Sequence, residues 1–418
     1  MHAEIITIGD ELLLGQTVDT NSAWMGSHLA EIGVAVRRIT SISDEPLEMK
    51  RALDESLARV DLVILTGGLG PTQDDRTKAT LAEYMGTSLS MNQGVLDQIT
   101  AWFEGRGLKM LEVNRNQAML PDRCEVLNNP RGTAMGMWFT AGLQQSQVVV
   151  SLPGVPYEMK GLMREEVMPR IQARWKLPAR YHRTLLTQGV GESYLSEQVK
   201  DWEDGLAEKG VAIAYLPAAG QVRIRLSAVS EIAAAAEELV NREADEFIKL
   251  AAEHVVSDRD EPIAASVIRK LTALGWTLGT AESCTGGAIA SSITAVPGSS
   301  SIFKGSVVAY SNEIKEQLLG VQRQSLSEFG AVSEKVVREM VAGARQKLEV
   351  DVAVAVSGIA GPSGGTPSKP VGTIWMAIST PAGTEARCLQ LGTNRERNIQ
   401  RTVLEALAWI LRSMPVSR

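Results

Sequence analysis

Short apolar, β-branched runs alternate along the first part of the chain with stretches where Leu, Ala and Met recur every three or four positions. Residues 3–9 (AEIITIG), 34–42 (VAVRRITSI) and 61–68 (DLVILTGG) read as buried strands. Residues 21–33 and 46–60 carry the spacing of amphipathic helices between them. Strand and helix in alternation imply βαβ units on a parallel sheet. The pattern runs on through residues 148–171, which read as a strand, a proline-punctuated turn and a helix.

From about Pro178 the character changes. Residues 181–189 read as a strand and 191–202 as a short helix. Residues 211–230 read as two strands around the turn Pro217-Ala-Ala-Gly220, and 231–255 as a long alanine-rich helix. This βαββα order describes a small α+β unit, and SDRDEP at 257–262 reads as a polar linker out of it. The remainder is α/β again. Helices are expected at 262–275, 285–294, 333–349 and 395–414, with strands at 276–283, 305–311, 350–358 and 371–379. The expected division is 1–172, 178–256 and 258–418.

Length agrees with several domains, since 418 residues exceed what one core supports at about 100–200 residues per domain. Hydrophobic residues at 44% and charged residues at 22% exclude a disordered or fibrous chain. The net charge of −7 argues against sequence-independent nucleic-acid binding, which needs a dense positive face. Backbone amides can still hold a small anion. Cys124, Cys284 and Cys388 form no CxxC pair, so a reducing compartment fits best. The N-terminus is not that of a signal peptide and no apolar run approaches about 20 residues, so a cytoplasmic protein is expected. The four histidines are His2, His28, His182 and His254, so any hydrolytic site in the last third works without histidine.

The strongest local feature is LTGGLGPTQDD at 65–75, between a strand and a helical segment. Gly67, Gly68 and Gly70 let backbone amides approach an anion, and Thr66 and Thr72 favour phosphate over a bare turn. Asp74 and Asp75 could hold a divalent cation bridging phosphates. The turn at 9–15 should share that crevice, bringing Asp10 and Glu11 to the same site. Asn21, Asp44, Asn116, Gln117, the run 132–136 and the turn 152–156 with Pro153 and Gly154 are further polar or turn elements near strand ends.

In the last domain, TAESCTGG at 280–287 follows a strand and enters a helix. The amides of Thr285, Gly286 and Gly287 could stabilise an oxyanion or phosphate beside Ser283. A serine there is most often a helix cap unless a base activates it. Lysine with a lowered pKa substitutes for histidine, and Lys304 and Lys315 are the candidates. Tyr310 could relay a proton or orient the substrate, and Cys284 is a rival nucleophile without an obvious activator. Glycine runs at 357–365, with Gly358 and Gly361, and at 370–373, with Gly372 and Thr373, could wrap a phosphate. Arg395, with Asn394, Arg397 and Arg401, opens the last helix, where an arginine could pair with phosphate.

These motifs carry a resemblance. GDELLLGQTVDTNS, TGGLGPTQDD, NRNQAMLP, NNPRGTAMG and SLPGVPYEM resemble the N-terminal domain of the CinA family, and AESCTGG, VVAYSNEIK, GAVSE, SGIAGPSGG and KPVGT resemble its C-terminal domain. The resemblance implies an α/β chain. It has an N-terminal MoaB/MogA-like α/β/α domain, a small KH-like α+β spacer and a C-terminal α/β deamidase domain. It implies that the first domain hydrolyses ADP-ribose at its pyrophosphate with a divalent metal (Mg, Mn or Co) and potassium. Asn21, Thr66, Gly67, Gly68, Gly70, Thr72, Gln117, Pro153 and Gly154 would form the nucleotide pocket, and Asp10, Asp44, Asp74 and Asp75 the metal site. It implies that the last domain hydrolyses nicotinamide mononucleotide to the acid and ammonia without a cofactor. There Ser283 would be the nucleophile, Lys315 the general base and Tyr310 an assisting group. Thr285, Gly286, Gly287, Gly358, Gly361, Gly372, Thr373 and Arg395 would hold the substrate.

The leading expectation is therefore a bifunctional pyridine-nucleotide salvage hydrolase. The alternatives are a non-enzymatic competence or DNA-damage adaptor, or a first domain that serves molybdopterin. No GXXG loop with basic flanks lies within 178–256, so a structural or dimerising spacer is expected rather than a nucleic-acid module. A homodimer without membrane contact is expected, the helix at 231–254 being a possible dimerising element.

Overall fold

The computed structural model describes residues 1–72, 75–142, 146–218 and 220–415. These fall into two compact units, Met1–Tyr181 with Val229–Ala236, and His182–Ala228 with Glu237–Arg418. No helix among the described residues is long and apolar enough to cross a membrane.

The first unit is built on a six-stranded sheet in the order Ala35–Ile42, His2–Ile8, Leu62–Thr66, Gln147–Leu152, Gly136–Ala141, Glu125–Leu127. The first four strands are parallel and the last two run antiparallel. Ile6, Ile8, Val63 and Leu65 face one core, where they meet Met49 and Leu53 of the helix Pro46–Leu57. Ala3, Ile5, Leu62 and Ile64 face the other, against Met25 and Leu29 of Thr20–Glu31. Strands covered on both faces in this way carry continuous apolar runs, which is why they are readable from sequence. Glu4 interrupts one such run. Its buried carboxylate accepts from Arg59 Nε and Nη2, both at 2.9 Å, and from Ser56 Oγ at 2.8 Å, and the Arg59 guanidinium holds its pKa down.

The expectation of buried, purely parallel strands needs two corrections. Ala35–Ile42 is an edge strand with Arg37, Arg38 and Ile39 exposed. The antiparallel strands Glu125–Leu127 and Gly136–Ala141 complete the sheet and have no helix between them to announce a crossover.

The second unit holds two sheets. The strands Val211–Ala218, Gln221–Ser230, Ala179–Gln188 and Val255–Ser257 lie in that order, with the helix Ala233–Leu250 after the hairpin. A five-stranded sheet follows in the order Phe303–Val308, Leu278–Glu282, Val352–Gly358, Thr373–Thr380, Gly383–Gln390. Its first three strands are parallel and its last two antiparallel. Gly383–Gln390 is absent from the sequence expectation because it is a largely exposed edge strand with few apolar positions. In both α/β sheets the chain crosses from one side of an early strand to the other, and ligands in such folds sit at the carboxyl ends flanking that switch. Those ends are Ile8 and Thr66 in the first unit, Glu282 and Gly358 in the second.

Candidate active sites: a glycine-lined cleft and a buried serine–lysine pair

At the first switch a cleft of about 390 Å³ opens above the strand ends. Its lining includes Asp44, Gly67, Gly68, Gly70, Asp75, Gln117, Pro153 and Gly154 from the expected set. The loop is glycine for reasons of space. A Cβ on Gly67 would fall 2.2 Å from the Ile8 carbonyl oxygen, and one on Gly68, at φ +64°, 2.1 Å from Thr77 Oγ1. Gln117 is only 5% exposed and its Oε1 has no hydrogen-bond partner. A buried acceptor of this kind is satisfied when a ligand brings a donor. Lys78 holds the neighbouring backbone, its Nζ donating to Asn116 O at 2.9 Å, and burial lowers its pKa to about 8.

Thr133, from the expected run 132–136, also lines the cleft, and so does Glu158, which sequence reasoning missed. Asn129 Nδ2 donates to Glu158 Oε2 at 2.6 Å, and burial raises the Glu158 pKa. The signal was the glutamate of SLPGVPYEM, one helical turn beyond the proline turn.

Other expected members lie elsewhere. Thr66 and Asn21 are struts. Thr66 Oγ1 donates to Pro153 O at 2.9 Å and Asn21 Nδ2 to Gly154 O at 2.7 Å, so both brace the opposite wall and face a smaller adjoining recess. Thr72 donates its amide and hydroxyl to the Asp75 carboxylate and does not line the cleft. Asp10 also stays outside, its amide donating to Asp44 Oδ2 at 3.2 Å. Asp74 lies outside the described residues. Among the described residues no three acidic, histidine or cysteine side chains stand together, but Asp44 and Asp75 both line the cleft, and one or two carboxylates suffice for a divalent cation that also takes phosphate oxygens.

At the second switch the strand Leu278–Glu282 ends at Ser283, and a turn leads into the helix Ala288–Thr294. Lys315, on the helix Asn312–Leu319, is 1% exposed. Its Nζ lies 3.1 Å from Ser283 Oγ and donates to Ala309 O at 2.8 Å. Burial lowers the lysine's pKa, against weaker opposing pulls from Cys284 and Glu313. A lysine so placed can stand neutral and accept the serine proton. The other candidates fall away on geometry. Lys304 is exposed at the start of its strand, and burial pushes the Cys284 thiol up to about 12. Tyr310 is 62% exposed, and its hydroxyl accepts from Arg395 Nη2 at 3.1 Å while Arg395 Nη1 donates to Gly361 O at 3.0 Å. The guanidinium is thereby held at the mouth of the turn that carries Gly361.

Several glycines expected to wrap a phosphate stand where a side chain has no room. A Cβ on Gly358 would meet Ile374 Cδ1 at 2.5 Å, one on Gly361 would meet Val371 Cγ1 at 2.5 Å, and one on Gly372 would meet Leu391 O at 2.3 Å. The Thr373 hydroxyl is buried and donates to Pro370 O at 2.7 Å. The expected anion site on the Gly286 and Gly287 amides is taken from within. Gly286 N donates to Ser283 O at 3.1 Å and Gly287 N to Glu282 Oε2 at 3.1 Å.

Three family models match the chain. Residues 4–173 match the probable molybdopterin binding domain, 182–255 the damage-inducible protein CinA KH domain, and 260–414 the CinA C-terminal domain. A CinA-like protein of Cytophaga hutchinsonii is 42% identical over 414 residues, covering 99% of this chain and 98% of the relative. One from Flavobacterium psychrophilum is 41% identical over 416 residues, with 99% of each covered. The crystal structure of a competence/damage inducible protein from Agrobacterium tumefaciens is 38% identical, covers 36% of this chain and 92% of its own, and superposes with a TM-score of 0.35. With matches to a probable molybdopterin binding domain, a CinA KH domain and a CinA C-terminal domain in succession, and relatives of about 40% identity over the full length, the chain belongs to the CinA family.

Proposed function

We propose that the chain is a bifunctional pyridine-nucleotide hydrolase whose C-terminal site deamidates nicotinamide mononucleotide. The observation that carries this reading is the buried Lys315 Nζ at 3.1 Å from Ser283 Oγ. Ser283 Oγ adds to the carboxamide carbon while its proton passes to neutral Lys315 Nζ, and the C=O π pair moves onto oxygen. The tetrahedral intermediate collapses, the C–N bond breaks, and Lys315 returns the proton to the leaving nitrogen as ammonia departs. Water then adds to the acyl ester with Lys315 again accepting a proton, releasing the acid and restoring Ser283. Arg395 offers a guanidinium for the nucleotide phosphate.

The test is ammonia release from nicotinamide mononucleotide by the full chain, by Ser283→Ala and by Lys315→Ala. Both variants are expected to lose turnover. A Ser283→Ala enzyme at the wild-type rate reduces Ser283 to a helix cap and sinks the mechanism.

For the N-terminal cleft we propose hydrolysis of the pyrophosphate of ADP-ribose, with Gln117 Oε1 awaiting a donor such as a ribose hydroxyl. A divalent metal with potassium belongs to this proposal, and Asp44 and Asp75 on the cleft wall would hold the divalent ion against the phosphates. The measurement is AMP formation from ADP-ribose with and without those ions. An inert full-length chain under both conditions overturns this half of the reading.

A further inference from the structure

The hydrogen-bond ladder of the five-stranded sheet runs out just before Arg395. Ile359 N donates to Thr373 O at 2.9 Å, Gly372 N to Ile359 O at 2.8 Å and Leu391 N to Gly372 O at 2.8 Å. Residues 360–361 and 392–394 then leave the sheet, and Gly361 O is the acceptor on which Arg395 Nη1 rests. One side chain spans both departing segments. Asn398, 1% exposed and one helical turn beyond Arg395, donates through Nδ2 to Ala360 O at 2.9 Å and to Gly392 O at 2.8 Å. Two carbonyl acceptors demand two N–H groups, which the side-chain amide supplies and a carboxylate of the same shape would not. The helix Arg395–Ser413 is anchored at its start as well, where Asn394 Oδ1 accepts from Arg397 N and Asn394 O from Asn398 N, both at 2.9 Å.

We infer that Asn398 is a positioning residue of the Ser283 site, setting the Arg395 guanidinium for the nucleotide phosphate. Resting on the amide-hydrolysis reading, which gives Arg395 the phosphate, this assigns what holds the arginine in place. Two observations carry it. A cation at the first position of a helix opposes the helix dipole, so Arg395 depends on acceptors outside its own helix. Those are the hydroxyl of the exposed Tyr310 and Gly361 O, and the second sits next in the chain to the carbonyl that Asn398 holds. Moreover, neither Ala360 O nor Gly392 O accepts from a second group among the described residues. Removing the Asn398 amide therefore releases both segments at once and lets the guanidinium drift. Ser283 and Lys315 lie on other elements and keep their contact. Asn398 acts on the substrate only through Arg395.

The experiment uses full-length wild type, Asn398→Ala, Asn398→Ser, Arg395→Ala and the double variant Asn398→Ala with Arg395→Ala. Ammonia release from nicotinamide mononucleotide gives kcat and KM. The rate at which a fluorophosphonate labels Ser283 reports the serine–lysine pair alone. The concentration of nicotinamide mononucleotide that halves this labelling reports binding without turnover. Asn398→Ala is expected to raise KM and the half-protecting concentration about tenfold, with kcat and the unprotected labelling rate within about twofold. Asn398→Ser, which keeps one donor, should fall between Asn398→Ala and wild type. The double variant should match Arg395→Ala within about twofold, because the asparagine works through the arginine. Losses that add in the double variant overturn the inference, as do kcat and labelling that fall along with binding. If Asn398→Ala does not fold, the same cycle is run with Asn398→Ser, and a wild-type half-protecting concentration overturns it. Wild type that is labelled and protected but releases no ammonia overturns the substrate reading alone, whereas wild type that is neither protected nor productive overturns both.

Discussion

The two switch points solve the same problem in opposite ways. The N-terminal cleft is open and lined by glycine backbone, and one of its acceptors, Gln117 Oε1, has no hydrogen-bond partner within the protein. The Ser283 site is closed on itself. Lys315 and Glu282 are both buried, and almost every donor around the serine already has a partner. An open cleft recognises by what the ligand brings, whereas a closed site works by what it has already brought together: the buried Lys315 amine beside Ser283 Oγ. The difference also shows why glycine is an ambiguous signal. Gly67 and Gly68 line a cleft, while Gly358 and Gly372 permit close packing of backbone and side chain, and all four leave no room for a Cβ.

The largest test of this contrast is Lys315→Ala, expected to lower ammonia release by about 10³-fold or more, with Lys315→Arg failing to rescue because a guanidinium stays charged. Lys304→Ala, exposed and remote from the pair, is expected to retain the wild-type rate. Next comes pH. Burial holds the Lys315 pKa below 10.5, and only the neutral amine accepts a proton. So kcat/KM should rise about tenfold per unit as pH climbs towards that lowered value and then level off. A rate that falls with rising pH over that range would assign the base to another group. Gly68→Ala puts a methyl against Thr77 Oγ1 at a positive φ and should weaken ADP-ribose binding by about tenfold or more in calorimetry while leaving ammonia release intact. Loss of both activities would show that the two sites are not independent. The smallest effects are on stability. Gly358→Ala is expected to destabilise by about 1–3 kcal/mol through overpacking on Ile374, and Gly286→Ala, with open space but φ +62°, by about 1 kcal/mol, both read from denaturant midpoints.

The serine–lysine pair is readable from sequence because a strand–turn–helix fixes Ser283 at a sheet end, and the lack of histidine after position 254 leaves lysine as the base. Glu282 is not readable in the same way. An acid closing an apolar strand looks like a surface residue until its burial and its amide partners are seen, and Glu4, inside the first strand, is buried too but is satisfied by the Arg59 and Ser56 side chains. The central parallel strands, such as Leu62–Thr66 and Val352–Gly358, are legible because both faces are covered and nearly every position is apolar or small. Gly383–Gln390 and Glu125–Leu127 lack that signature, since antiparallel edge strands need neither a crossover helix nor an apolar run. Asn21 and Thr66 sit at the predicted end of the sheet, but their hydrogen bonds run to the 153–154 turn, a long-range pairing that local pattern does not contain.

The exposed edge strand Ala35–Ile42 has a bearing on the protein's behaviour at high concentration. An unpaired strand edge is a template on which another chain can add itself, and Ile39, 47% exposed, makes this one attractive. Arg37 and Arg38 stand immediately before it, so that two copies meeting edge to edge would bring like charges together. Like charges so placed oppose edge-to-edge pairing, and neutralising the pair is expected to promote precipitation or cross-β assembly, read by light scattering, while the two sites remain intact.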